Sequence, residues 1–193
     1  MAMPDSTNLS DEAIAQQVQQ GDVEVFGVLV ERYEAKLLRY GRKFLSTPEH
    51  IEEIVQDVFL SAYQNMQSFN SAYNFSPWVY RIAHNAFVNA LRKQSNNPLV
   101  FFDLDTLVSH PIYEDPKELE EEYAASKKMV EVGLSKLPAK YREVLVLHYF
   151  EEQGYKEIAD ILGVPMGTVG VRLRRAREAL KKIYEKDNMQ YGD

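Results

Sequence analysis

Residues 151–182, EEQGYKEIADILGVPMGTVGVRLRRAREALKK, constrain the fold most, because they predict two helices joined by a tight turn. Apolar residues at helical spacing mark the first helix over 155–162, and Gly163 stands where a glycine commonly ends a helix. The second helix begins near Pro165. Its apolar residues form one stripe, made of Val169, Leu173, Ala176, Leu180 and Ile183. Two short helices with a glycine-containing turn are typical of a helix-turn-helix.

Basic side chains surround this stripe on the free side of the second helix. Arg174, Arg175, Lys181 and Lys182 lie on the arc away from the stripe, and Arg172 and Arg177 flank it. A helix fits the DNA major groove, and guanidinium groups suit both phosphates and guanine edges. The pattern therefore favours a DNA-reading helix, and the alternative is an ordinary surface hairpin with solvated charges.

The charge distribution supports the DNA interpretation. Residues 165–193 hold seven Lys/Arg and four Asp/Glu, a net charge of +3. The whole chain carries −7, so residues 1–164 carry −10. An acidic protein with one basic helix has its positive field where DNA docks, while the rest of its surface repels DNA. We expect such a protein to bind DNA weakly alone and to need a partner that delivers it.

Apolar periodicity elsewhere predicts an all-α protein with two small helical domains. Helices are predicted at 11–20, 23–45, 49–66 and 77–93 in the first domain, and at 123–137 and 140–151 before the helix-turn-helix. Ser10 and Asp22 are the expected N-caps of the first two helices. We place the domains at 1–95 and 121–193. Between them, 96–120 holds six Asp/Glu against one Lys, with three prolines, which indicates an acidic, extended linker. The domains are expected to be independent units.

The fourth predicted helix combines aromatic, amide and arginine side chains. Its expected core stripe is Val79, Ile82, Ala83, Ala86 and Ala90. Arg81, Asn85, Val88 and Arg92 lie roughly opposite this stripe, and Phe69, Tyr73, Phe75 and Trp78 stand nearby. Aromatic rings stack on unpaired bases, and each such stacking contact contributes roughly 1–3 kcal/mol to binding. Arginine side chains neutralise phosphate. Unstacking a base costs a few kcal/mol, so several such contacts suffice to hold DNA open. The alternative is that these rings belong to the core.

Several classes of function are disfavoured by composition. The chain has no Cys, its four His lack metal-binding spacing, and no nucleophile–base pair or Gly-rich phosphate loop is present, so we expect no cofactor and no enzyme. The N-terminal residues lack the pattern of a secretory signal, and no apolar run approaches 18 residues, so no membrane insertion is expected.

Taken together, these motifs resemble an extracytoplasmic-function (ECF, group IV) sigma factor of the sigma-70 family. In the first domain the resemblance rests on Gly21-Asp22, Phe26, Leu29, Tyr33, residues 53–59 (EIVQDVF), Phe75, Trp78, residues 80–85 (YRIAHN) and 91–93 (LRK). In the second it rests on Leu137-Pro138, Tyr141-Arg142, Tyr155, residues 157–159 (EIA), Leu162-Gly163, Pro165, residues 167–169 (GTV), Arg172-Leu173, residues 175–177 (RAR) and Ala179-Leu180. It spans about 11–95 and 118–184.

The resemblance implies a cytoplasmic promoter-specificity subunit that binds core RNA polymerase and promoter DNA, often with an anti-sigma factor as a further partner. It implies polymerase binding by Glu53, Gln56, Asp57 and Leu60. It implies minus-ten recognition and melting by Phe69, Asn70, Tyr73, Phe75, Trp78, Arg81, His84, Asn85, Asn89 and Arg92. It implies minus-thirty-five recognition by Met166, Thr168, Val171, Arg172, Arg174, Arg175 and Lys181.

Two departures from the family pattern bear on DNA contacts. Gly170-Val171 stands where the family usually has Lys-Ser, so a charge and a hydroxyl are missing there. The glycine also lies inside a helix, which it destabilises by about 1 kcal/mol relative to alanine. Ser76-Pro77 replaces a more polar or basic pair.

The rival functions are a polymerase-independent helix-turn-helix regulator, an enzyme, and a module that sequesters a sigma-factor partner. The first would bind duplex DNA unaided, and the basic face around Arg174 and Arg175 disfavours the last.

Overall fold

The computed structural model describes residues 9–94, 130 and 132–190, and its regular elements in these ranges are helical, which confirms the all-α prediction. In chain order they are α1 (Asp11–Gln19), α2 (Phe26–Gly41), α3 (Pro48–Gln64), a 3-10 turn (Met66–Ser68), α4 (Phe75–Gln94), α5 (Ala139–Leu145) with a π-helical turn (Val146–Phe150), α6 (Tyr155–Leu162) and α7 (Met166–Gln190). The predicted linker at 96–120 lies outside the described residues.

Two helix ends follow the local sequence as predicted. Ser10 caps α1, because its hydroxyl oxygen accepts a hydrogen bond from the Ala13 N–H at 3.2 Å. Gly163 ends α6 in the left-handed conformation, with φ of 64°. The expected cap of α2 at Asp22 is wrong, since α2 begins only at Phe26 and Val25 precedes it without a side-chain cap.

Helix α4 begins two residues before the predicted start at Pro77. The Glu12 carboxylate of α1 accepts a hydrogen bond from the Phe75 N–H at 2.9 Å, which satisfies a backbone donor at the new helix end. The Phe75 ring is buried and lies edge-on to Tyr33 at 5.5 Å. A contact across 63 positions therefore extends the helix beyond what local sequence indicates.

The buried face of α4 is also rotated from the predicted one. Tyr80, Phe87, Val88 and Leu91 are buried, whereas Ile82, Ala86 and Ala90 of the expected stripe are only half-buried. Large rings determine the orientation, because Phe87 stacks on Phe44 of the α2–α3 connection at 5.6 Å and Tyr80 meets Tyr40 at 5.4 Å. Val88, placed opposite the core by the sequence pattern, is thus a core residue.

Helix α4 is packed on two sides. The first four helices form one bundle in which α3 and α2 contact α4, and α6 of the helix-turn-helix packs against α4 from the other side. The sequence predicts independent units, whereas in this structure the two halves of the chain touch. Among the described residues no helix has the length and apolar character needed to cross a bilayer, and no three metal-ligating side chains cluster.

Gly41 gives a test of the bundle's packing. A Cβ added there would overlap the Phe87 ring and come within 2.7 Å of Ile51 Cγ2, so we expect Gly41→Ala to destabilise the protein by about 1–3 kcal/mol. Gly27 lies on the same helix with no atom within 4 Å of an added Cβ, so Gly27→Ala is the matched control. It should stabilise by about 1 kcal/mol through helix propensity. Urea unfolding of both variants measures this, and equal shifts would contradict the packing.

Candidate nucleic-acid interface

The helix-turn-helix is held together by the apolar stripe predicted from the sequence. Val169, Leu173 and Ala176 of α7 are buried against α5 and α6, with Ile158 and Ile161 of α6 below them. Because the stripe faces inward, the opposite side of α7 is presented to solvent. This orientation is the one that a groove-reading helix requires.

Most side chains predicted to face DNA from α7 are exposed. Met166, Val171, Arg174, Arg175 and Lys181 are exposed, whereas Thr168 and Arg172 are half-buried. Arg174 pairs with Glu178 at 3.0 Å and Lys181 with Glu185 at 3.7 Å, both as exposed pairs one helical turn apart. Exposed ion pairs of this kind stabilise a helix by about 0.3–0.5 kcal/mol, so breaking them to bind a phosphate costs little free energy.

Gly170 and Val171, which depart from the family pattern, lie in different environments. Val171 is exposed on the side of α7 predicted to face DNA, while Gly170 turns toward α6, where an added Cβ would lie 3.7 Å from the Tyr155 ring. A larger residue at position 170 would therefore meet Tyr155. The apolar Val171 offers the groove a methyl contact in place of a hydroxyl.

One edge of α4 presents a line of polar side chains to solvent. Arg81, Asn85, Asn89 and Arg92 are all exposed and follow one another at intervals of about one helical turn. Arg92 donates a long hydrogen bond to the Asn89 amide oxygen, at 3.4 Å. The line combines amides, which match base edges, with cations, which match phosphate.

Of the aromatic residues beside this line, Tyr73 is exposed, whereas Phe69 and Phe75 are buried beneath Trp78. Tyr73 is 62% exposed in the loop before α4, where the Asn70 side chain accepts the Ala72 N–H at 3.0 Å. Phe69 and Phe75 are buried, so the prediction that their rings stack on bases is not met in this conformation. Instead they lie 5.2 and 5.5 Å from the half-buried ring of Trp78.

His84 is a buried residue and is not one of the exposed side chains in this line. Its Nδ1 lies 3.1 Å from the Tyr40 hydroxyl, and burial, assisted by the charge of Arg92, lowers the pKa of His84 to about 4. A neutral, buried imidazole cannot neutralise phosphate. His84 therefore belongs to the bundle core in this structure, and its contact with DNA stays a prediction.

A second candidate surface lies on α3. Glu53, Gln56, Asp57 and Leu60 are all exposed and recur at helical spacing on one face, and Leu60 is 54% exposed. Tyr63, which was not among the residues predicted for this face, extends it by one turn and is exposed with its ring edge-on to Phe26 at 5.4 Å. Its three-residue spacing from Leu60 was the available signal.

Known proteins resemble both halves of the chain. The family descriptions "Sigma-70 region 2" and "Sigma-70, region 4" match residues 29–97 and 128–180. The ECF RNA polymerase sigma factor SigW of Bacillus subtilis (strain 168) is 35% identical, covering 86% of this chain and 92% of the relative. The ECF RNA polymerase sigma-E factor of Haemophilus influenzae is 32% identical, covering 90% and 94%. A solved structure of CnrH in complex with the cytosolic domain of CnrY has a TM-score of 0.68 and 25% identity, covering 92% of this chain and 98% of CnrH.

Proposed function

The chain belongs to the ECF sigma factors of the sigma-70 family and is a non-enzymatic promoter-specificity factor of transcription initiation, and from this premise we propose which of its surfaces perform each step. Residues 1–95 bind core RNA polymerase and read and melt the minus-ten element. Residues 121–193 read the minus-thirty-five element, and 96–120 connect the two. The protein acts in the cytoplasm, where polymerase and promoter DNA are its partners.

The observation that carries this assignment is the exposed line on α4 beside Tyr73. Arg81, Asn85, Asn89 and Arg92 combine base-edge and phosphate chemistry on one edge of a rigid helix, and an exposed ring stands beside it. That combination suits unpaired DNA. Of the aromatic residues, we assign base contact to Tyr73 and to the accessible part of Trp78, with Phe69 and Phe75 supporting them.

Polymerase binding is assigned to the exposed α3 face of Glu53, Gln56, Asp57 and Leu60, extended by Tyr63. An apolar centre flanked by acidic side chains is suited to a partner with apolar and basic groups. The CnrH structure contains the cytosolic domain of CnrY, and a sigma factor RpoE of Bartonella quintana is solved with the anti-sigma factor NepR. By analogy, an anti-sigma factor is a further expected partner of this chain.

Run-off transcription tests the function directly. Core polymerase is incubated with a genomic fragment library, with and without this protein, and new transcripts should appear only with it. A polymerase-independent regulator would instead bind its site in a gel-shift assay without polymerase and would add no new start sites. That second outcome would overturn the proposal.

Arg174 and Arg175 are expected to contribute to recognition of the minus-thirty-five element. Loss of a bidentate base contact should cost about 1–3 kcal/mol and relax specificity at one position, whereas loss of a phosphate contact should weaken binding at all sequences and lower the salt slope by about 1. The double variant Arg174→Ala/Arg175→Ala is compared with Lys186→Ala, an exposed cation further along α7. Unchanged run-off from a promoter that depends on this element would remove both arginines from the interface.

A further inference from the structure

The connection between α3 and α4 is fastened to the first helix of the chain. Residues 65–74, which we call the Tyr73 loop, include the 3-10 turn and lead to the start of α4. They carry the exposed ring that the proposed function assigns to an unpaired base. Helix α1 contacts both the 3-10 turn and α4. The surfaces assigned on α3, α4 and α7 leave α1 without a function.

Helix α1 is itself held firmly in the bundle. Its Ile14 and Ala15 side chains are fully buried. At its start the Asp11 carboxylate accepts hydrogen bonds from Arg32 Nη1 at 2.6 Å and from the Tyr33 hydroxyl at 2.5 Å. Both donors belong to α2, so apolar packing and a charge-assisted pair fix α1 on the bundle. The remaining polar face of α1 is therefore a firm support for whatever it binds.

Gln19 fastens the first part of the Tyr73 loop to this support. Its amide nitrogen donates to the carbonyl oxygen of Met66 at 2.8 Å and to that of Phe69 at 2.7 Å. A primary amide carries two N–H groups, so both donors of Gln19 are used. In return, the Gln67 amide donates to the Gln19 carbonyl oxygen at 3.0 Å. Three hydrogen bonds thus set the path of the backbone from 66 to 69.

Two further side chains of α1 hold the middle and the end of the loop. The Gln16 amide donates to the Ser71 hydroxyl oxygen at 2.7 Å, and the Glu12 carboxylate accepts the Phe75 N–H at 2.9 Å. Glu12, Gln16 and Gln19 recur at intervals of four and three residues, so they form one polar stripe along the helix. The bond from Gln16 is exposed, where water competes for it, whereas those from Gln19 are half-buried. Gln19 is therefore the stronger anchor.

These anchors fix the backbone on both sides of an exposed ring. Between them, the Tyr73 N–H donates to the Asn70 carbonyl oxygen at 3.0 Å, and the Asn70 side chain accepts the Ala72 N–H at 3.0 Å. The Tyr73 ring remains 62% exposed. A ring on an ordered backbone loses less conformational entropy when a base stacks on it than a ring on a mobile loop does. Order in this loop therefore favours base capture.

We propose that α1 positions the Tyr73 loop for promoter opening, with Gln19 as the main positioning residue. This inference rests on the proposed function, in which the Tyr73 ring stacks on an unpaired base. Gln19 acts through the loop backbone rather than by contact with DNA. Without its two hydrogen bonds the loop has to be ordered during opening, and that entropy cost opposes opening.

The first test measures order around the loop in the free protein. Gln19→Met keeps the length of the side chain and removes both amide donors. Trp78 is the only tryptophan of the chain, and its ring lies 5.2 Å from that of Phe69, so its fluorescence reports on the anchored segment. Acrylamide should quench Trp78 more strongly in Gln19→Met than in the unmodified protein, because Phe69 covers the indole less steadily.

Gln17→Met is the matched control for this measurement. Gln17 lies on the same helix, and its side chain makes none of the hydrogen bonds that hold the loop. It should give the quenching of the unmodified protein, and urea unfolding checks that all variants are folded. Gln16→Ala, an exposed change that leaves the core untouched, should give a smaller increase than Gln19→Met. Quenching of Gln19→Met and Gln16→Ala equal to that of the unmodified protein would overturn the anchoring.

The second test asks whether Gln19 acts through Tyr73. With core RNA polymerase on a duplex promoter, Gln19→Met should lower permanganate-detected opening by about tenfold, as expected when one or two hydrogen bonds that order a loop are lost. Gln17→Met should open the promoter as the unmodified protein does. In a Tyr73→Ala background, Gln19→Met should have little further effect, because the ring that it positions is absent.

A merely structural role of Gln19 predicts a different result. General destabilisation would lower opening to the same extent with and without the Tyr73 ring. Equal losses in the two backgrounds would therefore overturn the positioning role while leaving the sigma-factor function standing. Absence of run-off transcript with the unmodified protein would instead contradict the proposed function.

Discussion

Asp57→Lys should abolish binding to core RNA polymerase while leaving the fold intact. Asp57 is exposed on α3, between Glu53 and Leu60 on the proposed polymerase-binding face. Exposed substitutions of this kind usually change the free energy of unfolding by no more than about 0.5 kcal/mol. Like charges placed together at an interface cost several kcal/mol, so affinity should fall by well over tenfold, which corresponds to about 1.4 kcal/mol.

Glu34→Lys is the matched control for this prediction. Glu34 is exposed on α2, outside the proposed polymerase-binding face of α3, so it makes the same charge change away from that face. Fluorescence anisotropy with labelled protein and core polymerase gives both affinities, and thermal unfolding monitors the fold. If Asp57→Lys retains both the unmodified melting temperature and the unmodified affinity, the polymerase contact lies on another face.

The helix-turn-helix was predictable because its determinants are local. The apolar stripe of Val169, Leu173 and Ala176 and the stop at Gly163 depend on residues within a few turns of each other, and the structure places all four as expected. The exposed side of α7 follows from the stripe by helical geometry. The exposure of Asp57 on α3 was predictable for the same reason.

The orientation of α4 depends on partners that local sequence cannot supply. Glu12 caps the helix from 63 positions away, and Glu151 reaches Tyr80 across 71 positions. A glutamate at a helix connection normally indicates a solvated charge, since carboxylates are rarely buried unless paired. With bundle helices on one side and α6 on the other, α4 buries residues that a one-sided amphipathic pattern assigns to solvent, such as Val88. That is why His84 is buried although it neighbours the exposed Asn85 on the same helix.

Promoter opening should fail in two distinguishable ways when the α4 surface is changed. Asn85 is exposed between Arg81 and Asn89, and its amide offers a donor and an acceptor together, which suits a base edge rather than phosphate. We therefore expect Asn85→Ala to relax base preference at one minus-ten position, at a cost of about 1–3 kcal/mol. Tyr73 carries the most exposed ring of the preceding loop, and Tyr73→Ala should lower opening at all promoters, because stacking tolerates any base.

Pre-melted DNA separates the two roles. On a template already unpaired at the minus-ten element, the Tyr73→Ala defect should shrink, because the stacking energy no longer has to offset roughly a few kcal/mol of unstacking. The Asn85→Ala change in base preference should persist there, since the base edge is read after it is exposed. Permanganate reactivity of thymines on duplex and pre-melted templates reports opening, and binding of both variants to polymerase should be unchanged. Glu34→Ala, an exposed change on α2 outside all proposed surfaces, controls for general effects of substitution. Opening of duplex DNA by both variants at the unmodified rate would place the melting surface away from α4.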